Sequence, residues 1–307
     1  MIPFLRRNAC PICRAENGQT PIYERAYRDE PLASYLISRY PALPMEFLSG
    51  RTFTIMRCGR CTGMYHLEVI EDFYDNPEYK QWDGNLYKKK AVKRALYYQS
   101  FQNNFIVALL LILTAMRGEP VIPSDLSILD YGCGAGEFLF FAKAYGLDAT
   151  GYDADPLKQD ILAERGVSYV NEESMATVGR TYDIINSNMV FEHLLAPYEA
   201  LGLLAKALTP GGLIRISVPS WKNIEKKIHI DANWSTKVKG TPDALTPILP
   251  FGHRNCFTPE SIDYLAREHG LRVIDPETFP DFQARFDWFP LKPIIRLDGQ
   301  FYLSTGD

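Results

Sequence analysis

No stretch of this sequence is long and apolar enough to cross a bilayer. The most hydrophobic window, Phe105 to Met116, falls well short of the ~20 apolar residues that a spanning helix requires. Gln102, Asn103, Asn104 and Arg117 flank it, so a buried helix is expected. The opening stretch MIPFLRRNACP has no apolar segment of the secretory kind, which makes the cytoplasm the expected compartment. Positive charge is not in excess either: the net charge is −4 and no Arg-rich stretch occurs, so the chain has no global attraction for nucleic acid or anionic lipid. Internal repeats and low-complexity tracts are absent. What remains is 307 residues of ordinary apolar and charged content, enough for one large α/β domain and a smaller one with a substantial core.

The pattern along the chain divides into parts. Residues 1–72 carry four of the six cysteines and few long periodic segments. Residues 73–118 read as a helical connector, in which the basic run KKKAVKR leads into the apolar helix. GEPVIPSD (Gly118 to Asp125) is a linker rich in breakers. From there to residue 307, short apolar runs alternate with helical periods: SILDY, GEFLFFAKAYG, DATGYD, PLKQDILAERG, VSYV, YDIINS, YEALGLLAKALTPGG and LIRISVP. Strand and helix in alternation predict a parallel sheet with helices on both faces. TPESIDYLAREHG adds a helix N-capped by Thr258, with Glu260 in its first turn. LRVID and GQFYLST are expected as closing strands, the second antiparallel.

In SILDYGCGAGEF, three glycines stand where the first strand hands over to a helix. In a parallel α/β sheet the ligand crevice lies beyond the carboxyl ends of the strands. Glycine there permits positive φ and lets a ligand approach bare backbone. A dinucleotide site favours G-x-G-x-x-G with pyrophosphate against the helix, whereas here the spacing is G-x-G-x-G with Asp130 just ahead. A carboxylate in that position repels phosphate and suits a cationic amino group. Asp153, about 20 residues past the glycines, is placed to bind both ribose hydroxyls. A ribose, a cationic amino-acid end and no phosphate describe S-adenosylmethionine.

The stretch ILDYGCGAGEF…GYD resembles the class I S-adenosylmethionine-dependent methyltransferase family. YDIINSNMVFEHLLAP, ALTPGGLIRISVP and FGHRNCFTPESIDYLAREHGLRV continue the likeness in order, so that it covers roughly 126–275. The resemblance implies a Rossmann-like seven-stranded α/β sheet. It also implies cofactor contacts at Gly132, Gly134 and Gly136 on the methionine end, Asp130 toward the amino group through the loop or a water, Asp153 on the ribose and Ala154 against adenine. Asn188 would line the methyl-transfer face. The adenine edge falls to Glu172, Glu173 or Ser174, of which Glu173 is carried as the candidate; the usual aspartate is missing there.

NACPICRAE and MRCGRCTGM present Cys10, Cys13, Cys58 and Cys61 as two C-x-x-C pairs. Two such knuckles close a tetrahedral four-cysteine zinc site. Their wide separation and the lack of a third close cysteine argue against an iron–sulfur cluster. A closed set of four ligands makes the zinc structural. Cys133 and Cys256 are expected to be packing residues. A zinc module ahead of this fold resembles a bacterial group that includes sugar C-methyltransferases acting on nucleotide-linked deoxysugars, although this chain is shorter at its C-terminal side.

Removing a proton from a hydroxyl or acidic-carbon acceptor calls for a base near neutral pH, and histidine suits that task. His253, in the loop after the fifth strand, and His193, after the fourth, are the catalytic candidates. His229 is a third, while His66 and His269 are expected to be structural or solvated. An insertion at about 221–250, with Lys88, Lys89, Lys90, Lys93 and Arg94, has the composition of a basic lid for a phosphorylated or nucleotide-linked substrate. The expected activity is methylation of a small molecule, a sugar or related metabolite, at O or C. The alternatives are an RNA methyltransferase that grips nucleic acid through the zinc module and a non-catalytic cofactor-binding or assembly protein.

Overall fold

The computed structural model describes residues 4–71, 73, 91–156, 158–177, 179–222, 224, 246–279 and 299–305. His229 and Lys88 to Lys90 lie outside them, as does most of the 221–250 insertion.

The chain forms two compact units, one of residues 1–89, 192–198 and 218–261 and the other of 90–191, 199–217 and 262–307.

In the first unit, β1 (Phe4–Arg6) pairs antiparallel with β5 (Glu68–Ile70). A four-stranded sheet has β2 (Gln19–Ala26), β3 (Thr52–Cys58), β4 (Met64–His66) and, at its edge, the distant β11 (Asn255–Cys256). Helix α1 (Leu32–Arg39) buries Leu32, Ala33, Tyr35 and Leu36. The core is aromatic: Phe251 stacks on Tyr27 with ring centroids 5.6 Å apart and meets Tyr40 edge-on, whose hydroxyl donates to the Pro250 carbonyl at 2.9 Å. Ile224 and Ile248 are buried in the same cluster. The ends of the 221–250 insertion therefore belong to this core.

The second unit holds seven strands: β6 (Ser127–Tyr131), β7 (Asp148–Tyr152), β8 (Ser168–Tyr169), β9 (Tyr182–Asn188), β10 (Leu208–Ser217), β12 (Leu271–Ile274) and β13 (Gln300–Thr305). Their order is β8-β7-β6-β9-β10-β13-β12. All neighbours run parallel except β13, which is antiparallel to both β10 and β12. The connecting helices are α3 (Glu137–Ala144), α4 (Lys158–Glu164), α5 (Glu172–Thr177) and α6 (Pro197–Lys206), with α7 (Pro259–Glu268) preceding β12. Thr258 caps α7 as expected: its Oγ1 accepts from the Ser261 N–H at 3.1 Å, and Ser261 Oγ accepts from the Thr258 N–H at 2.9 Å.

The apolar run sits in α2 (Ala91–Arg117). Phe105, Ile106, Leu109, Ile112 and Leu113 recur at helical spacing and are buried. They pack in one cluster with Leu126, Ile128, Leu139 and Leu213, which is why this helix joins the sheet unit. No helix among the described residues is long and apolar enough to cross a membrane.

Candidate cofactor site and metal centre

Strand β6 ends at Tyr131, and Gly132, Gly134 and Gly136 follow with φ of 82°, 55° and 77°. A side chain in this left-handed region costs roughly 1–2 kcal/mol. Packing adds to that cost at two of the three: a Cβ on Gly132 would lie 2.3 Å from Val190 Cγ2, and one on Gly136 2.5 Å from Leu162 Cδ2. Gly134 is different, because a Cβ there would meet nothing within 4 Å. Its open side is bare backbone free for a ligand. The Gly132 and Cys133 N–H groups donate to the Tyr152 carbonyl at 2.8 and 2.9 Å, which ties the loop to the end of β7.

Asp153 follows β7 directly. One carboxylate oxygen accepts from the Gly134 N–H at 2.8 Å and the other from the Asp155 N–H at 2.9 Å. The glycine loop and this acidic side chain are therefore one hydrogen-bonded unit. Ala154 beside it is exposed. Tyr131 and Tyr152 stack with centroids 4.7 Å apart, and both hydroxyls donate to Glu172 Oε1, at 3.3 and 2.8 Å. Of the three adenine-edge candidates, Glu172 thus anchors the aromatic pair. Ser174 is occupied in a reciprocal cap with Asn171, and Glu173 is exposed on α5.

Asp130 is buried, in keeping with an indirect role at the loop. It is in register with Asn186 on β9, which is in register with Arg215 on β10. Asn186 Nδ2 donates to Asp130 Oδ1 at 2.6 Å, and Arg215 donates to Asn186 Oδ1 at 2.5 Å. Arg215 also donates to Gln300 Oε1 at 2.8 Å and to Asn188 Oδ1 at 3.3 Å, and its guanidinium lies 3.8 Å from the centre of the Phe105 ring. Burial raises Asp130 to about 7 against the pull of Asn186 and Arg215, and burial lowers Arg215 to about 10. Asn188, the expected methyl-transfer residue, is thus held by Arg215. Sequence reasoning missed Asn186 and Arg215; the signal was an arginine inside the apolar run LIRIS.

The two candidate bases come together in the first unit. His193 and His253 face each other with ring centroids 4.7 Å apart at 73°. His193 Nδ1 is 3.0 Å from the Gly252 carbonyl. A carbonyl only accepts, so Nδ1 carries the proton and Nε2 the lone pair. Nε2 lies 3.7 Å from Glu192 Oε1. Glu192 is fully buried, and neither of its carboxylate oxygens has a hydrogen-bond partner among the described residues. Burial lowers His193 to about 3, with His253 adding to the effect, and burial raises Glu192 to about 8. Glu192 was not legible as a site residue, since only its burial sets it apart. His66 is buried against Phe53, and His269 packs at Gly202, as structural residues do.

The four cysteines converge. Cys10 and Cys61 Sγ are 3.7 Å apart, Cys13 and Cys58 Sγ are 3.5 Å apart, and all four sulfurs lie within 4.8 Å of one another. A tetrahedral ion with arms of ~2.3 Å requires edges of about 3.8 Å. Both knuckles have the same construction. The Arg14 N–H returns to the Cys10 carbonyl and the Thr62 N–H to the Cys58 carbonyl, at 2.8 and 2.9 Å, and Arg14 and Thr62 share positive φ of 57° and 63°. Without a cation the four thiols do not ionise together: hydrogen bonding from Cys61 lowers Cys10 to about 6, while burial holds Cys13 up at about 12. A central divalent ion removes that conflict. Cys133 and Cys256 are buried apart from this set.

Seven strands in this order, with one antiparallel strand next to the edge and a glycine loop after the interior strand β6, define the class I S-adenosylmethionine-dependent methyltransferase fold. A methyltransferase domain model matches residues 98–275, and the chain belongs to that family. Among its relatives is the ubiquinone biosynthesis O-methyltransferase of Colwellia psychrerythraea, 28% identical over 161 residues, covering 49% of this chain and 63% of that one. The enzyme of the same name from Parvibaculum lavamentivorans is 35% identical over 103 residues, covering 30% and 40%. The chain spans less than two thirds of the length of these relatives. A crystal structure of a plantazolicin methyltransferase in complex with a pentazolic desmethylPZN analog and SAH aligns at a TM-score of 0.48 and 16% identity, covering 69% of this chain and 85% of that one.

Proposed function

We propose that this chain transfers a methyl group from S-adenosylmethionine to an oxygen or carbon of a small molecule, a sugar, nucleotide-linked sugar or related metabolite. The observation that carries the reading is the coupled loop: Gly134 with open space at its Cα and its N–H on the Asp153 carboxylate. Asp153 is the group for the ribose hydroxyls, Gly132, Gly134 and Gly136 supply backbone at the methionine end, and Asn188 lines the methyl-transfer face. Ala154 and the neighbouring α5 residues Glu172 and Glu173 take the adenine side. Asp130, held by Asn186, supports the loop from beneath and meets the amino group indirectly. The bound cofactor supplies an electrophilic methyl for in-line displacement. The protein's duty is then to hold the acceptor in line and to take its proton.

That proton falls to His193 and His253. His193 is held in one tautomer by the Gly252 carbonyl, which leaves the Nε2 lone pair as the proton acceptor. Cys10, Cys13, Cys58 and Cys61 hold a structural zinc ion; four protein ligands leave no position for substrate. Relatives whose names specify O-methylation support a small-molecule acceptor.

The test is incubation of the purified chain with a metabolite extract and isotopically labelled S-adenosylmethionine, followed by mass spectrometry. Label in a small hydroxylated or sugar-like product is the expected result. Label only in RNA or protein, or none in any fraction, would overturn the reading.

A further inference from the structure

Glu192 stands out among the buried acidic groups of the described residues. It is fully enclosed, and both of its oxygens lack hydrogen-bond partners among the described residues. Leaving such a group unsatisfied costs roughly 1–3 kcal/mol, and more when it is charged. The groups nearest it are those that would end that cost if a cation stood among them. One ligand atom each from Glu192, His193 and His253 lies within 4.8 Å of the other two, and His193 Nε2 is 3.7 Å from Glu192 Oε1. Ligating histidines usually give their other ring N–H to a carbonyl or carboxylate, which fixes the tautomer and aims the lone pair. His193 does this through Nδ1 and the Gly252 carbonyl.

We infer that Glu192, His193 and His253 form a second metal site, distinct from the four cysteines, that binds a first-row divalent transition ion. Two imidazoles and one carboxylate favour zinc, iron(II) or manganese over calcium or magnesium, which prefer all-oxygen sets. Three protein ligands leave coordination positions open, in contrast to the closed knot of four thiolates. An acceptor hydroxyl bound at such a position loses its proton more readily. This last consequence rests on the methyl-transfer reading, because the cation would acidify the hydroxyl enough for solvent water to take the proton otherwise assigned to His193 and His253. The site itself does not rest on that reading.

Metal stoichiometry decides the matter. The full chain is equilibrated with excess zinc chloride, passed through a desalting column and analysed by plasma emission spectrometry alongside Glu192→Gln and His253→Gln. Two zinc ions per wild-type chain and one in each variant are expected. Glu192→Gln replaces a fully buried side chain, so folding of both variants is followed by circular dichroism. If it does not fold, His253→Gln at a partly exposed position carries the same readout. One zinc in the wild type, or two retained in a folded variant, would overturn the site. S-adenosylhomocysteine binding, measured by calorimetry on the same preparations, reports on the methyl-transfer reading separately.

Discussion

In the sheet unit, the buried charges find each other. Asp130 and Arg215 sit on strands flanking β9 and meet through Asn186, while Gln300, Asn188 and the Phe105 ring take up the rest of the guanidinium. In the unit built on β2 to β4, four thiols crowd within 4.8 Å and Glu192 is enclosed with neither oxygen hydrogen-bonded among the described residues. One unit satisfies its buried charge across a regular sheet. The other gathers two candidate ligand sets, for which the proposed cations would supply the complementary charge. The contrast follows from architecture: a seven-stranded, mostly parallel sheet brings side chains from adjacent strands into register at fixed spacing, whereas the first unit has only a four-stranded and a two-stranded sheet.

Breaking the four-cysteine knot should give the largest effect. Cys58→Ser is expected to release the zinc and unfold the unit around it, removing a contribution on the order of 10 kcal/mol. Proteolysis should then cleave within residues 4–71 while the sheet unit stays protected. One zinc retained at that knot, or an intact N-terminal segment, would contradict the assignment. Next comes the buried row: Arg215→Ala leaves Asp130 without its cation and should cost about 3–5 kcal/mol in denaturant unfolding.

The glycine loop gives smaller, divided effects. Gly132→Ala meets Val190 as well as an unfavourable φ and should lose roughly 3 kcal/mol of stability. Gly134→Ala meets only the φ cost, about 1–2 kcal/mol, and its larger loss should appear in cofactor affinity. Equal stability losses at the two positions would remove the distinction between a packing glycine and a ligand-facing one.

The last effect is one of slope. The folded-state pKa of Asp130, about 7, lies above that of an unfolded aspartate, so between pH ~4 and ~7 the folded chain binds a proton that the unfolded chain has lost. Its contribution to stability is full below that window, declines as pH rises through it by at most about 1.4 kcal/mol per unit, and levels off above. Asn186, Arg215, Asp153 and Glu137 are the groups that act on it. Asp130→Asn should flatten this decline in unfolding curves taken from pH 5 to 8.

The sheet unit was largely legible because each strand is a short apolar run and each turn is marked by glycine. Ser127–Tyr131, the capped helix at Thr258 and the antiparallel closing strand all follow local pattern. The thiol set was legible from spacing alone. The assembly of the first unit was not: β11 is only Asn255 and Cys256, and it finds β4 through contacts nearly two hundred residues apart in sequence. Nor did any local pattern show that His193 and His253, read as alternative bases, are neighbours, or that Glu192 completes the group. Asp130 was read from its place beside the glycines, but the register of β6, β9 and β10 directs it into the row with Asn186 and Arg215.

The central claim is that the coupled Gly134–Asp153 loop holds S-adenosylmethionine. Titrating S-adenosylhomocysteine into the full chain by calorimetry tests it most directly. The account predicts one site per chain, weakened by roughly 1.5–3 kcal/mol, or about 10- to 150-fold, in Asp153→Ala. No binding, affinity indifferent to Asp153, or a purified chain that retains NAD instead would contradict it.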